Sequence, residues 1–460
     1  MTGRALRRLA TLCMALLTAC TPVPPGPETP SRAISGLPDR VLPAMRSFPG
    51  QRVETPTRSN REIGRDFMDL TFRMESGRRV PRLTRFETPV SVRVTGPAPA
   101  SLTRDLRALL ARLRREAGIE IFETDGPDAG ITVQALPRAV LNDAVPRAAC
   151  FVVPRVSTWA AFDRARRTAQ VDWTTLQRRD RAAVFVPSDA APQEIRDCLH
   201  EELAQALGPL NDLYRLPDST FNDDNIHAVL TGFDMLILRA YYDPALANGM
   251  RRGAVAARLP GILARLNPAG QARPVRPHAD TPRDWIDDIE LALSAGAAPA
   301  RRRNAAQAAI RLGETKNWRD ARDGFAHYAF GRLNVSHDPE VALASFRRAM
   351  QFYQGNPLTR LHAAHVAVQL AAFALSSGDA AMVERLVDGA IPVARRHENA
   401  ALLATLMMFK AEALALRGRD AEAQAMRMDS LGWARYGFGT ETNVRARMRE
   451  IRALTPTQGP

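Results

Sequence analysis

The sequence predicts an α+β domain followed by an all-α array of paired helices. Three observations carry that reading. Short β-type segments, some alternating and some continuously apolar, are interleaved with one amphipathic helix before residue 187. Residues 193–207 repeat apolar positions at helical spacing and stop at Gly208. Beyond residue 282 the composition turns to Ala, Leu and Arg, and three helix starts, at Asp338, Asp379 and Asp420, fall 41 residues apart.

The chain has 460 residues and a formal net charge of +14. Arg4, Arg7 and Arg8 precede the apolar run 9–17, the layout of an export signal too short to span a bilayer. Leu17-Thr18-Ala19-Cys20 resembles a bacterial lipobox. That resemblance implies cleavage after residue 19 and lipidation of Cys20, with an ordinary secretory signal as the plainer alternative. Thr21, where Asp would imply inner-membrane retention, favours an outer-membrane anchor facing the periplasm. Residues 20–61 are rich in Pro and read as a semi-rigid tether.

The first domain is expected over residues 62–266. Folded structure is expected near Phe67, and Glu75-Ser76-Gly77 reads as a turn. Residues 89–94 alternate as a strand, and Leu102, Leu106, Leu109, Leu110 and Leu113 line one face of a helix over 102–117. Residues 120–122, 131–133, 151–153 and 182–186 are further strands. Pro192 then opens the central helix at a position where its missing N–H costs nothing.

On that helix Ile195, Leu199, Leu203, Ala206 and Leu207 form the apolar face, and Glu201 and Gln205 share another. Gly208 is expected to end it in the left-handed conformation. Asn211 and Asp212 follow. The layout resembles the metzincin motif His-Glu-x-x-His-x-x-Gly-x-x-His/Asp, in which imidazoles bind zinc and the Glu is general base. Glu202 and Gly208 match. Glu201, Gln205 and Asn211 stand at the three ligand positions, and Phe221 stands where the Met-turn would place Met. Residues 230–242 resemble the closing helix of matrixins, with Thr231 and Asp234 at capping-box spacing. The order strand, helix, strands, site helix is that of zincins. The resemblance implies a zincin-like α+β domain with a degenerate metal-site helix.

Residues 62–265 also resemble the domain-of-unknown-function 2927 family. The resemblance rests on residues 67–72, Glu75-Ser76-Gly77, residues 83–90, Cys198 with the stretch 201–208, Phe221-Asn222-Asp223-Asp224, Tyr242-Asp243-Pro244 and Gly249-Met250. It implies no activity. Of four cysteines, Cys13 would leave with the signal and Cys20 would carry lipid. Cys150 and Cys198 remain, and a disulfide between them is expected, against two unrelated buried thiols.

Residues 267–282, with five Pro or Gly positions, read as a linker. The array 283–460 resembles tetratricopeptide-type repeats, a solenoid offering a surface to protein partners; an ordinary helical bundle is the alternative. The arginines are spread along the chain, so a solvated surface is the plain reading of the charge. Attraction to an anionic envelope polymer is the functional one. Export argues against nucleic acid.

His200 and His227 are the only histidines within 62–265, so an all-histidine zinc site cannot be built there. His200 is expected at the cleft edge or helix surface. No cofactor is expected, and Arg215, Arg239, Gln205 or a substrate amine should balance Glu201 and Glu202, with two solvated carboxylates, one packed by an arginine, as the plainer alternative. Two functions follow: a non-catalytic envelope lipoprotein with a binding platform, or a hydrolase using Glu202 as base with a non-standard metal or none.

Overall fold

The computed structural model describes residues 42–50, 54–146, 148–276 and 279–456. The signal segment, Cys20 and most of the tether lie outside the described residues.

Regular structure begins earlier than Phe67. Helix α1 (Asn60–Phe72) starts behind Ser59, which forms a reciprocal capping box with Glu62. The end of the stretch read as tether is packed: Arg46 N–H donates to Gly432 O at 3.0 Å, and Phe48 stacks on Trp433.

Five strands make one mixed sheet: β1 (Val90–Thr95), β2 (Ile121–Glu123), β3 (Ile131–Leu136), β4 (Phe151–Pro154) and β5 (Ala182–Pro187). The order is β2-β1-β3-β5-β4, with only β4 antiparallel, at the edge. β5 is buried at all six residues, which explains its continuous apolar run. Helix α2 (Ala100–Arg112) follows β1 and runs into a π turn at Leu113–Ala117, closed by Gly118 at φ 68°. Short helices α3 (Arg138–Ala144) and α4 (Trp159–Ala165) cover β5 with Leu141 and Phe162.

Helix α5 (Pro192–Leu207) packs on the sheet beside α2, next to β4 and β5. Ile195, Leu199, Leu203, Ala206 and Leu207 are each at most 1% exposed. Burial of the larger of these is worth about 1.5–3 kcal/mol apiece. Cys150, just before β4, is joined to Cys198 of α5 by a disulfide with the α-carbons 5.9 Å apart. Helices α6 (Gly232–Tyr241) and α7 (Arg252–Leu266) complete this part.

The C-terminal part is entirely helical: α8 (Arg283–Leu293), α9 (Pro299–Lys316), α10 (Ala321–Asn334), α11 (Pro339–Tyr353), α12 (Arg360–Ser376), α13 (Ala380–Arg396), α14 (Ala400–Leu416), α15 (Asp420–Phe438) and α16 (Glu441–Arg452). Its helices pack chiefly on their neighbours in the chain. Asp338 and Asp379 cap α11 and α13 by accepting from Val341 and Met382 N–H at 3.1 and 2.9 Å. The third repeat differs. Asp420 is the first helical residue of α15 and caps nothing with its side chain.

The helices also dock on the sheet part. Gln193 of α5 donates to Asn399 Oδ1 at 3.1 Å and accepts from Ala401 N–H at 2.9 Å. Arg196 pairs with Glu398, Tyr436 donates to Asp105 at 2.6 Å, and Tyr214 meets Trp285 edge-on.

Candidate acidic site at the end of helix α5

The C-terminal half of α5 and the loop behind it form the candidate site. Three backbone bonds shape it. Gly208 N–H continues the helix to Ala204 O, Leu210 N–H donates to Leu70 O at the end of α1, and Leu213 N–H donates to Phe221 O. The loop is thereby folded back beneath the helix.

Gly208 is not left-handed: its φ is −165° and its ψ is −87°. A glycine fits the tight space here, because a Cβ would lie 3.0–3.1 Å from three ring carbons of Tyr241. Arg179, 3% exposed, donates to Ala206 O at 2.8 Å and also to the carbonyls of Gln205 and Gly208. It satisfies carbonyls that the helix end leaves open, and its charge suits that end of the dipole. Its own guanidinium lies over the Trp173 ring. Nothing in the local sequence marked it. It sits within the charged stretch 178–181, Arg-Arg-Asp-Arg.

The two resembling stretches after α5 are tied together by Asp234, which is fully buried. It accepts from Thr220 N–H at 3.1 Å and Thr231 N–H at 2.7 Å, and Thr231 caps α6 in return. Phe221, also fully buried, sits in the core of the sheet part. Burial raises the Asp234 carboxyl to about 6, against the pull of these donors.

The site itself is acidic. Glu202 is 5% exposed, and burial, then Glu201 and Glu75, push its carboxyl well above the usual range, while a Val152 backbone hydrogen bond pulls the other way. Glu201 is half-buried and is raised to about 8 by burial and by the charges of Glu75 and Asp223. Asp212, 8% exposed, is raised well above its usual value by burial, Glu75, Asp223 and Glu201. Gln205 Nε2 stands 3.4 Å from Asp212 Oδ2. Oxygens of Glu75, Asp212 and Asp223 lie within 4.8 Å of one another.

The structure brings Glu201, Gln205 and Asp212 together but sends Asn211 elsewhere: its amide donates to Asp69 O at 3.1 Å. The expected balancing arginines are also elsewhere. Arg215 pairs with Asp66 and Asp69, each at 2.9 Å, and Arg239 is exposed. His200 is inside rather than at an edge. It is 2% exposed, and its Nδ1 accepts from Leu230 N–H at 3.1 Å. Burial holds the ring neutral. His227 engages Pro217 O through Nε2 at 2.9 Å.

Glu75 and Asp223 are the members that ligand-position reasoning missed. Both lie in stretches that carry the family resemblance, Glu75-Ser76-Gly77 and Phe221-Asn222-Asp223-Asp224. That coincidence was the available signal.

Residues 60–261 match the model of the family described as Protein of unknown function (DUF2927). The DUF2927 match covers less than half of the chain. It runs from the first residue of α1 into α7, includes every strand among the described residues and all five site acids, and stops before the helical array. No curated protein and no solved structure matched the chain.

Proposed function

We propose that the chain is a non-catalytic envelope lipoprotein, in which a zincin-like DUF2927 domain with degenerate ligand positions is joined to a tetratricopeptide-like platform for protein partners. One observation carries this reading. The three positions on which imidazole-held zinc depends are Glu201, Gln205 and Asn211, and the amide of Asn211 is spent on Asp69 O. Without zinc ligands there is no Lewis acid to lower the pKa of an attacking water. Both histidines of the domain are committed to backbone partners, Leu230 N–H and Pro217 O.

The succession of strand, helix, strands and site helix supports the zincin-like assignment, with α5 lying beside the antiparallel edge strand β4. Helices that pack on their chain neighbours, at the 41-residue spacing, support the repeat reading. The lipobox-like stretch ending at Cys20 supports anchoring with the domain facing the periplasm, outer membrane favoured.

The second reading is a hydrolase with Glu202 as general base. The buried, upshifted Glu202 carboxyl favours it, since perturbed acids cluster at catalytic sites. Hydrolysis of denatured protein and of peptidoglycan by the full chain, with zinc, calcium or manganese supplied, decides between them. The proposal expects no turnover above buffer. Turnover that disappears in Glu202→Gln, with the variant folded, overturns it.

A further inference from the structure

We propose that Glu75, Asp212 and Asp223 form a binding site for one hard divalent cation of the calcium and manganese class. Four observations lead there.

The first is spacing. Carboxylate oxygens of the three residues lie within 4.8 Å of one another. Two oxygens on opposite sides of a calcium ion, each about 2.3–2.6 Å from it, are separated by about 5 Å, so one ion spans the group.

The second is an unsatisfied atom. Asp212 is 8% exposed, and its Oδ1 has no hydrogen-bond partner. Gln205 approaches its other oxygen at 3.4 Å, and the Glu75 carboxyl lies within hydrogen-bonding reach of the Asp212 carboxyl. A buried carboxylate oxygen without a donor is costly unless a cation faces it.

The third is the missing counter-charge. Arg215 is held by Asp66 and Asp69. Arg283 of α8, whose charge acts on Asp223, is bound to Asp287 and Glu290, and it reaches Glu75 through that residue's backbone carbonyl at 3.2 Å. Glu201, Glu290 and Asp224 add negative potential around the group.

The fourth is donor chemistry. All three donors are carboxylates, which suit calcium, magnesium or manganese and not a zinc centre of nitrogen and sulfur.

The three acids come from the turn after α1, the loop after α5 and the turn before α6. An ion would therefore fasten three separate segments beside Glu201 and Gln205. The inference goes beyond the proposed function. An oxygen-held ion does not restore imidazole-held zinc, and the site stands or falls whether or not the domain hydrolyses anything.

The test is calorimetric titration of the full chain, stripped with chelator and desalted, with calcium chloride, manganese chloride or magnesium chloride alone. Thermal melts are recorded alongside. One equivalent of calcium or manganese per chain is expected, with a rise in melting temperature. Asp212→Asn and Asp223→Asn should bind about tenfold or more weakly, because affinity follows ligand charge count. Glu75 is exposed, so Glu75→Gln keeps the fold and provides a third variant with the same expected loss. No saturable binding of any of the three ions through millimolar concentrations, or unchanged binding in Glu75→Gln and Asp223→Asn, overturns the site.

Discussion

The ring of Tyr241 lies against the α-carbon of Gly208, so closely that a Cβ there would sit 3.0 Å from the ring Cγ. The contact joins the end of α5 to α6, and a methyl group there would require the ring to give way by a few tenths of an ångström. Gly208→Ala should therefore lower unfolding free energy by about 1–3 kcal/mol, the usual cost of overpacking. Urea denaturation measures it. Tyr241→Leu in the Gly208→Ala background should recover part of the loss, since the obstruction is the ring and not the backbone conformation.

Arg179 holds the carbonyl end of α5. Arg179→Met keeps the length and apolar stem and removes the donors to Gln205, Ala206 and Gly208. Buried acceptors left unpaired cost about 1–3 kcal/mol each, so a loss of about 3 kcal/mol or more is expected. Arg179→Lys should recover only a part, because one ammonium cannot reproduce the fork. Thermal melts of the three proteins give the order.

The bond between Cys150 and Cys198 closes a segment of 48 residues across the edge strand and the site helix. In the loop-entropy picture it contributes about 3–4 kcal/mol. The double variant Cys150→Ser, Cys198→Ser should show that loss in urea denaturation. Added reductant should then have no further effect on it, while it destabilises the parent.

A histidine group lies where the 217–230 loop meets the helices. His227 is 5.3 Å from His397 and 6.1 Å from His362, ring to ring, and His362 engages Asp224 at 2.8 Å. Burial, with neighbouring imidazoles and arginines, lowers His227 and His365 to about 4 and His397 to about 3, from 6.5. The unfolded chain therefore binds more protons below pH 6.5. The stabilising contribution of these neutral rings is full above that pH and declines as the pH falls toward about 4. Glu201 and Asp223, raised to about 8 and 7, work in the opposite direction as the pH rises from about 4. Replacing His227, His365 and His397 by Gln should flatten the acid-side decline in denaturant unfolding measured at stepped pH.

Legibility in the sequence followed the physics of each feature. α5 was readable because apolar spacing and Pro192 are local signals, and β5 because a strand buried on both faces carries a continuous apolar run. The Thr231 and Asp234 box was readable for the same reason. The disulfide followed from counting cysteines in a chain whose N-terminal segment reads as an export signal. Arg179, Asp234 as a link to the 219–221 turn, and the Tyr241 ring over Gly208 act across distant segments, and no periodicity reports them. The fate of Arg215 was misjudged because Asp66 and Asp69, on a helix that was not assigned, compete for it. The acids Glu75 and Asp223 were visible as residues but not as neighbours of Asp212.

Zinc titration of the metal-stripped full chain tests most directly whether the α5 frame has lost its zinc grip. The account predicts that zinc binds no more tightly than calcium and that Gln205→Ala, which removes no charge, leaves its affinity unchanged. One tightly held equivalent of zinc, released when Gln205 is replaced, would contradict it.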